Sequence, residues 1–286
     1  MPIFFILSGY FLLTDKPHLS LEQFLKRRLT RILIPFAGVL LIYLFVRHWT
    51  VTEWGTNILT GKVSFHLWFM YSLVGLYLAV PLFEHLFASE KGLTVVKYYV
   101  AVWIAAAVLY PCAKEYWGWS IDVFRQFNCE HFFGFMGFFF VGGLLRRVHF
   151  AKGKRLAFFA LYAAASCCVA AMTVHYSHKV GKPAVLFVTN LSPFVVVQAA
   201  AIFAAFKDVE FPSRIVSLMA RQSYWMYLVH LLVLEHIQKW SGLQVSVHTA
   251  LNVGLLSAGT FLGSFVVSFP LYWLEQSVLR LLRLKH

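Results

Sequence analysis

Long apolar runs, separated by short polar segments, recur from one end of the chain to the other. A helix that crosses the hydrocarbon core of a bilayer needs about 20 predominantly apolar residues, and it satisfies its own backbone hydrogen bonds. The pattern therefore predicts an all-α fold, a polytopic transmembrane helical bundle of about nine spans. The predicted spans cover residues 2–14, 31–47, 66–87, 93–111, 131–146, 155–176, 184–206, 221–240 and 249–274.

The segment between the first two predicted spans has a different pattern. Apolar residues recur at helical spacing from Leu21 to Ile32, and cations occupy the other face. Ser20 and Gln23 form a predicted capping box at its start. We expect this amphipathic helix to lie in the membrane interface rather than to cross the bilayer.

Composition and charge favour a membrane protein over a soluble one. The chain is 60% hydrophobic and 13% charged, with a mean hydropathy of +0.70, whereas a soluble domain is about 25% charged. The formal net charge is +13, and most of the 25 Lys and Arg residues fall in alternate loops. Positive loops mark the cytoplasmic side of a membrane, so this charge does not indicate nucleic-acid binding. We expect a multi-pass protein of the inner (plasma) membrane with a cytoplasmic C-terminus.

The first predicted span is short. Its apolar part would cover only ~18 Å at 1.5 Å per residue, whereas the hydrocarbon core is ~30 Å thick. With an odd number of spans and a cytoplasmic C-terminus, the N-terminus would lie outside. We therefore expect a further helix before this chain, which would restore an even number of spans.

Six short stretches carry a resemblance to a known family. Residues 4–10 are Phe-Phe-Ile-Leu-Ser-Gly-Tyr, and residues 223–230 are Ser-Tyr-Trp-Met-Tyr-Leu-Val-His. The other four stretches are residues 28–35, 66–71, 138–146 and 269–275. Taken in the order in which they occur along the chain, the six stretches resemble the signatures of the acyltransferase-3 family of integral-membrane O-acyltransferases.

The resemblance implies ten transmembrane helices and the transfer of an acyl group, usually acetyl from acetyl-CoA, to a sugar hydroxyl. The implied acceptor is a cell-envelope glycan or its lipid-linked precursor. It also implies a first helix that bears an Arg and, further along, a His that is thought to be catalytic. On this interpretation the chain begins after that first helix. On this interpretation residues 1–286 form a single membrane acyltransferase domain that lacks its first transmembrane helix. The implied partners are acyl-CoA, the sugar acceptor and membrane lipid.

Three arginines are candidates for binding the acyl donor. We call Arg27, Arg28 and Arg31 the arginine cluster. Guanidinium groups bind phosphates bidentately and stay charged, so the cluster suits the phosphates of acetyl-CoA. The alternative is that these residues only anchor the helix to anionic lipid on the cytoplasmic side.

Two histidines are the catalytic candidates. His230 lies midway along a predicted span, where an ionisable residue is a functional candidate by default. It could act as a base, position a hydroxyl group, or hydrogen-bond another helix. His66 begins another span, and Trp68 beside it is either an interfacial anchor or a platform for the acceptor sugar. Ser223 shares a helical face with His230 and is predicted to be a packing hydroxyl rather than a nucleophile.

The remaining candidates concern the acceptor, a disulfide and metals. Ser8 and Glu130 are candidates for acceptor contact or helix packing. Cys112 and Cys129 fall in one outer loop and could form a disulfide in an oxidising compartment, or remain two unpaired thiols. No metal-ligand spacing occurs, so no metal is expected. A transporter or flippase for a lipid-linked glycan is the alternative function, although the halves of the sequence show no internal symmetry.

Overall fold

The computed structural model describes residues 1–14, 20–119, 134–151, 153–243 and 249–282, apart from the side chains of residues 27 and 249. All the regular elements in these ranges are helical. The α-helices are α1 (Pro2–Leu12), α2 (Leu21–Phe24), α3 (Thr30–Val46), α4 (Val51–Leu59), α5 (Trp68–Phe87), α6 (Glu90–Trp103), α7 (Tyr110–Trp117), α8 (Met136–Arg147), α9 (Lys154–Val180), α10 (Pro193–Phe206), α11 (Arg214–Ser241) and α12 (Thr249–Leu281).

The predicted spans fall on these helices. Within the described ranges, 5 helical stretches are long and apolar enough to cross a membrane, namely Phe65–Phe87, Glu90–Trp117, Lys154–Val180, Leu186–Phe206 and Ala250–Leu281. The predicted all-helical membrane fold is confirmed to this extent. The helices α1 and α3 are apolar but shorter, and α11 is interrupted by charged side chains. The predicted count of about nine spans stays a prediction.

Two helical segments have the wider turns of a π-helix. Leu25–Leu29 joins α2 to α3, and Ile104–Leu109 joins α6 to α7, so each set forms one continuous helical rod. At the start of the first rod, the Ser20 hydroxyl accepts a hydrogen bond from the Gln23 amide, as the predicted cap requires. The predicted interfacial helix therefore runs directly into the next apolar helix.

The described residues form two compact units. The first unit consists of residues 1–18 and 76–210, and the second consists of residues 19–75 and 211–286. The prediction of a single domain over residues 1–286 stays a prediction.

The first unit is organised around a close contact between α1 and α8. A Cβ atom added to Gly9 would lie 1.8 Å from the Phe139 carbonyl oxygen, and one added to Gly142 would lie 2.0 Å from the Ile6 oxygen. The two backbones therefore touch directly, which is the packing that small residues permit in membrane helices. The Arg146 guanidinium also donates to the Tyr10 carbonyl at 2.9 Å, near the C-terminal end of α1.

The second unit joins α3, α11 and α12. The Trp225 ring lies against the bare backbone of Gly38, where an added Cβ would be 3.1 Å from the ring. Its indole N–H donates to the Glu275 carboxylate at 2.7 Å, which fixes α11 against α12. These contacts form the framework that holds the candidate site.

Candidate functional site

His66 is held at the start of α5 by both of its ring nitrogens. It lies in the short 3₁₀ turn Phe65–Leu67 and is only 2% exposed. Its Nε2 is 3.3 Å from the Leu228 carbonyl oxygen, and its Nδ1 is 2.9 Å from the Ser64 hydroxyl. Because a carbonyl oxygen only accepts, Nε2 carries a proton, and in the neutral ring Nδ1 accepts from the Ser64 hydroxyl. Both ring nitrogens of His66 are therefore engaged in hydrogen bonds.

His230 lies on α11 in the opposite tautomer. Its Nδ1 is 2.5 Å from the Tyr227 carbonyl oxygen one turn earlier. This carbonyl can only accept, so in the neutral ring the proton lies on Nδ1 and the lone pair lies on Nε2. The His230 side chain is half-buried, so it is not sealed inside the helix packing.

The two imidazoles belong to one cluster. Their ring centroids are 4.8 Å apart in an edge-to-face arrangement with an interplanar angle of 75°. The Tyr227 hydroxyl donates to the His66 carbonyl oxygen, so this residue holds both histidines. We call Ser64, His66, Tyr227 and His230 the histidine cluster. In this cluster, the Ser64 hydroxyl, both nitrogens of His66 and the Tyr227 hydroxyl are engaged in hydrogen bonds. The nitrogen that the cluster offers to a substrate is Nε2 of His230.

Two carboxylates of the second unit are paired. Glu235 accepts hydrogen bonds from the Arg47 guanidinium at 2.7 and 2.8 Å, and Glu275 accepts the Trp225 bond described above. Neither pair can be recognised in the sequence, because the partners lie far apart in the chain. Both carboxylates are committed to interhelical contacts, so they are poor candidates for a proton-transfer role.

The arginine cluster lies where the predicted interfacial helix runs into α3. The Arg28 and Arg31 side chains are exposed, whereas the Arg27 side chain lies outside the described atoms. Beside them, Lys26 forms an ion pair with Glu22 at 2.7 Å. The hydrogen bond and charge of Lys26 lower the pKa of the exposed Glu22 carboxyl. The two described arginines can therefore meet a ligand phosphate from solvent.

The other predicted site residues are distributed along both units. Trp68 is half-buried at the first position of α5, two residues after His66, with its ring 6.3 Å edge-on to that of Phe69. The Ser223 hydroxyl is exposed and donates to the Ala220 carbonyl at 2.8 Å, so it is occupied within its own helix. Ser8 is half-buried in α1 of the first unit. The structure brings the two histidines together, whereas the Ser223 hydroxyl is not part of the histidine cluster.

Part of the prediction falls outside the described residues. Glu130 and Cys129 lie in the segment 120–133, which the structure does not describe. Cys112 is a half-buried thiol, and the proposed pairing with Cys129 stays a prediction. Among the residues that the structure does describe, no group of three or more His, Cys, Asp or Glu side chains could hold a metal ion.

Comparison with known proteins adds one finding. The family model of acyltransferase-3, which describes an acyltransferase domain, matches residues 1–273. No curated protein matches the chain, and neither does any solved structure. The matched region includes the six motif stretches, the arginine cluster and the whole histidine cluster.

Proposed function

The chain belongs to the acyltransferase-3 family, and from this premise we propose that it is a membrane O-acetyltransferase. The proposed reaction moves an acetyl group from acetyl-CoA to a hydroxyl of a cell-envelope glycan or of a lipid-linked sugar. The proposed setting is the inner (plasma) membrane, with the C-terminus in the cytoplasm. The apolar helices and the family support a membrane acyltransferase, and the donor and acceptor are the proposal.

The observation that carries the proposal is the contact between Nδ1 of His230 and the Tyr227 carbonyl oxygen. Transfer to an alcohol needs a base that removes the hydroxyl proton as the new bond forms. The bond from Nδ1 to the Tyr227 carbonyl orients the ring and leaves the lone pair on Nε2. His230 is therefore the proposed base, and His66, whose nitrogens already have partners, is proposed to position it.

In the proposed reaction, Nε2 of His230 accepts the proton of the sugar hydroxyl. The hydroxyl oxygen attacks the thioester carbonyl, the carbon–sulfur bond breaks, and the acetyl ester forms. The CoA thiolate leaves and takes up the proton from the His230 imidazolium, so that CoA-SH is released and His230 is neutral again. No residue is covalently modified, which agrees with the Ser223 hydroxyl being bonded within its own helix.

The arginine cluster is the proposed donor site. Exposed guanidinium groups bind phosphates with charge-assisted, often bidentate hydrogen bonds. Arg28 and Arg31 are exposed, and a cytoplasmic position for them would match the compartment that contains acetyl-CoA. Trp68 is the proposed acceptor contact, whereas Ser8, Ser223 and Glu130 are proposed for acceptor contact or packing. We propose no metal.

The test is acetyl transfer from labelled acetyl-CoA in membranes that contain the protein and candidate glycan acceptors. A positioned general base contributes about 10²–10⁴-fold, so His230→Gln should lower kcat by at least about 100-fold. His236→Gln is the matched control, because His236 is exposed on the same helix and its Nδ1 also contacts its own helix carbonyl, that of Leu232. This control should retain nearly full activity.

Two results would contradict the proposal. Full turnover by the His230→Gln protein would show that His230 has a structural role and is not the base. Absence of label in any acceptor, together with acetyl-independent movement of a lipid-linked glycan between leaflets, would favour the transporter or flippase.

A further inference from the structure

A cavity lies in the first unit, between α7, α9 and the start of α10. The cavity has a volume of about 380 Å³, within the range of small-molecule sites, about 300–1,000 Å³. Its walls include Cys112, Ala113, Tyr116, Met172, Phe187 and Phe194. The catalytic proposal uses none of these residues.

The walls of this cavity are apolar and fixed. Phe187 and Tyr176 are buried beneath it, and the Tyr176 hydroxyl donates to the Glu115 carbonyl at 3.2 Å. The cavity belongs to helical stretches that are long and apolar enough to cross a membrane. A cavity with such walls offers no hydrogen bonds to a polar ligand, so a hydrocarbon chain is the occupant that it suits.

Exposed aromatic side chains lie beside this cavity. Tyr116 and Trp117 form part of its wall. The Trp117 indole stacks on that of Trp119 with centroids 5.3 Å apart, and both indoles are exposed. Tyr and Trp concentrate where hydrocarbon meets headgroups. A lipid chain in the cavity would thus have its headgroup at this rim.

A cation is fixed at the same rim. The Lys179 ammonium lies 4.3 Å from the Tyr116 ring centroid and donates to the Tyr116 carbonyl at 2.5 Å. Its side chain is exposed, and it forms no ion pair with any carboxylate in the described parts of the chain. An ammonium has three donors, so two remain for a phosphate.

A second apolar cavity in the same unit shows why this cation matters. That cavity, of about 360 Å³, also has a lysine at its edge, Lys207. The Lys207 side chain is only 1% exposed and pairs with Asp208 at 3.2 Å. Its charge is already balanced, so it offers nothing to a headgroup. The combination of apolar cavity and available cation therefore distinguishes the Lys179 site.

We infer that this cavity binds a phosphate-bearing membrane phospholipid. One acyl chain occupies the cavity, the glycerol backbone lies at the Trp117 rim, and the phosphate contacts Lys179. The inference does not depend on the acetyltransferase proposal, since it uses only residues of the first unit.

The experiment measures binding of labelled dioleoyl phosphatidylglycerol, and of dioleoylglycerol with the same chains, to the delipidated full protein in detergent. Ala113→Trp fills the cavity and should weaken phosphatidylglycerol binding at least tenfold. Ala160→Trp, at an exposed position of α9, should not. Lys179→Gln should weaken phosphatidylglycerol binding about fivefold, down to the affinity for dioleoylglycerol, whereas Lys182→Gln should not.

A second measurement remains decisive if Ala113→Trp does not fold. In a Cys129→Ser background, phosphatidylglycerol should slow maleimide labelling of Cys112 but not of the exposed Cys167 and Cys168. Equal labelling of Cys112 with and without lipid would overturn the inference. So would equal binding by Lys179→Gln and Lys182→Gln. Displacement of phosphatidylglycerol by an equimolar polyprenyl-phosphate sugar would also overturn it and assign the cavity to the acceptor.

Discussion

Replacing Gly9 by Ala should destabilise the first unit, because the position has no room for a side chain. The added Cβ would lie 1.8 Å from the Phe139 carbonyl oxygen and 2.7 Å from its carbonyl carbon. Both atoms are backbone atoms of α8, so no rotamer change can relieve the overlap. A carbon–oxygen contact needs about 3.3 Å, and α1 would have to move away from α8 by roughly 1.5 Å.

The cost of this movement can be estimated. Overpacking a well-packed contact costs about 1–3 kcal/mol and occasionally more. Ala also gains about 1 kcal/mol over Gly in a helix interior, which offsets part of this cost. The net loss for Gly9→Ala is then up to about 2 kcal/mol, and the loss relative to a Gly→Ala change at an open helical position is about 1–3 kcal/mol. Gly142→Ala makes the reciprocal overlap, 2.0 Å from the Ile6 oxygen, and should behave alike.

The assay is the free energy of unfolding in detergent, measured by titration with SDS. Gly75→Ala and Gly254→Ala are matched controls, because both positions are helical and an added Cβ meets nothing within 4 Å. Both controls should be neutral or slightly stabilising. Since Gly9 and Gly142 act on one interface, the double variant should lose less than the sum of the single losses.

A Gly9→Ala protein as stable as the Gly75→Ala protein would refute the reasoning. Such a result would mean that α1 and α8 do not make the backbone contact that the structure shows. The Arg146 bond to the Tyr10 carbonyl would then need another explanation, because it depends on the same approach of the two helices.

Three further predictions concern the arginine cluster, the two cysteines and the Trp225 indole. Replacing all three residues of the arginine cluster by Gln should raise the Kd for acetyl-CoA at least tenfold, since hydrogen bonds to charged groups contribute about 1.5–3 kcal/mol. An unchanged Kd in an equilibrium binding measurement would reject the phosphate site. Thiol labelling should find Cys112 and Cys129 protected until reductant is added, and labelling without reductant would rule out the disulfide. Trp225→Phe should lower the free energy of unfolding by about 1–3 kcal/mol, because it removes the donor to Glu275. Trp240→Phe, at a side chain that is 92% exposed, should have little effect, and an equal loss would contradict the role of the indole bond.

The sequence was sufficient for those features that depend on local pattern. Hydrophobic runs predicted helices where the structure has them, because helix formation and apolarity are properties of neighbouring residues. Ser20 was recognisable as a helix cap for the same reason. The π-helical turns at Leu25–Leu29 and Ile104–Leu109 were not predicted, since no residue type marks the insertion of one residue into a helical turn.

The sequence pattern could not predict which residues far apart in the chain are in contact. Gly9 was notable as a small residue in an apolar helix, but nothing in its surroundings indicated that Phe139 would be its neighbour. His66 and His230 were each singled out as ionisable groups near or within spans, yet their contact depends on how two helices dock. The groups that determine their tautomers are carbonyl oxygens of Tyr227 and Leu228. Every residue has such an oxygen, so no sequence signal could identify these two.

The contacts also explain why one ionisable residue stands out among those in the helices. A titratable group inside a membrane helix is costly unless it is paired or used. Glu235 is paired with Arg47, Glu275 accepts from Trp225, and His66 is bonded through both nitrogens. His230 has a fixed ring orientation, a lone pair on Nε2 and a half-buried position. Among these four groups, only His230 combines a fixed orientation with a nitrogen that can take a proton, so catalysis by this helical unit should depend on His230 more than on any of the other three.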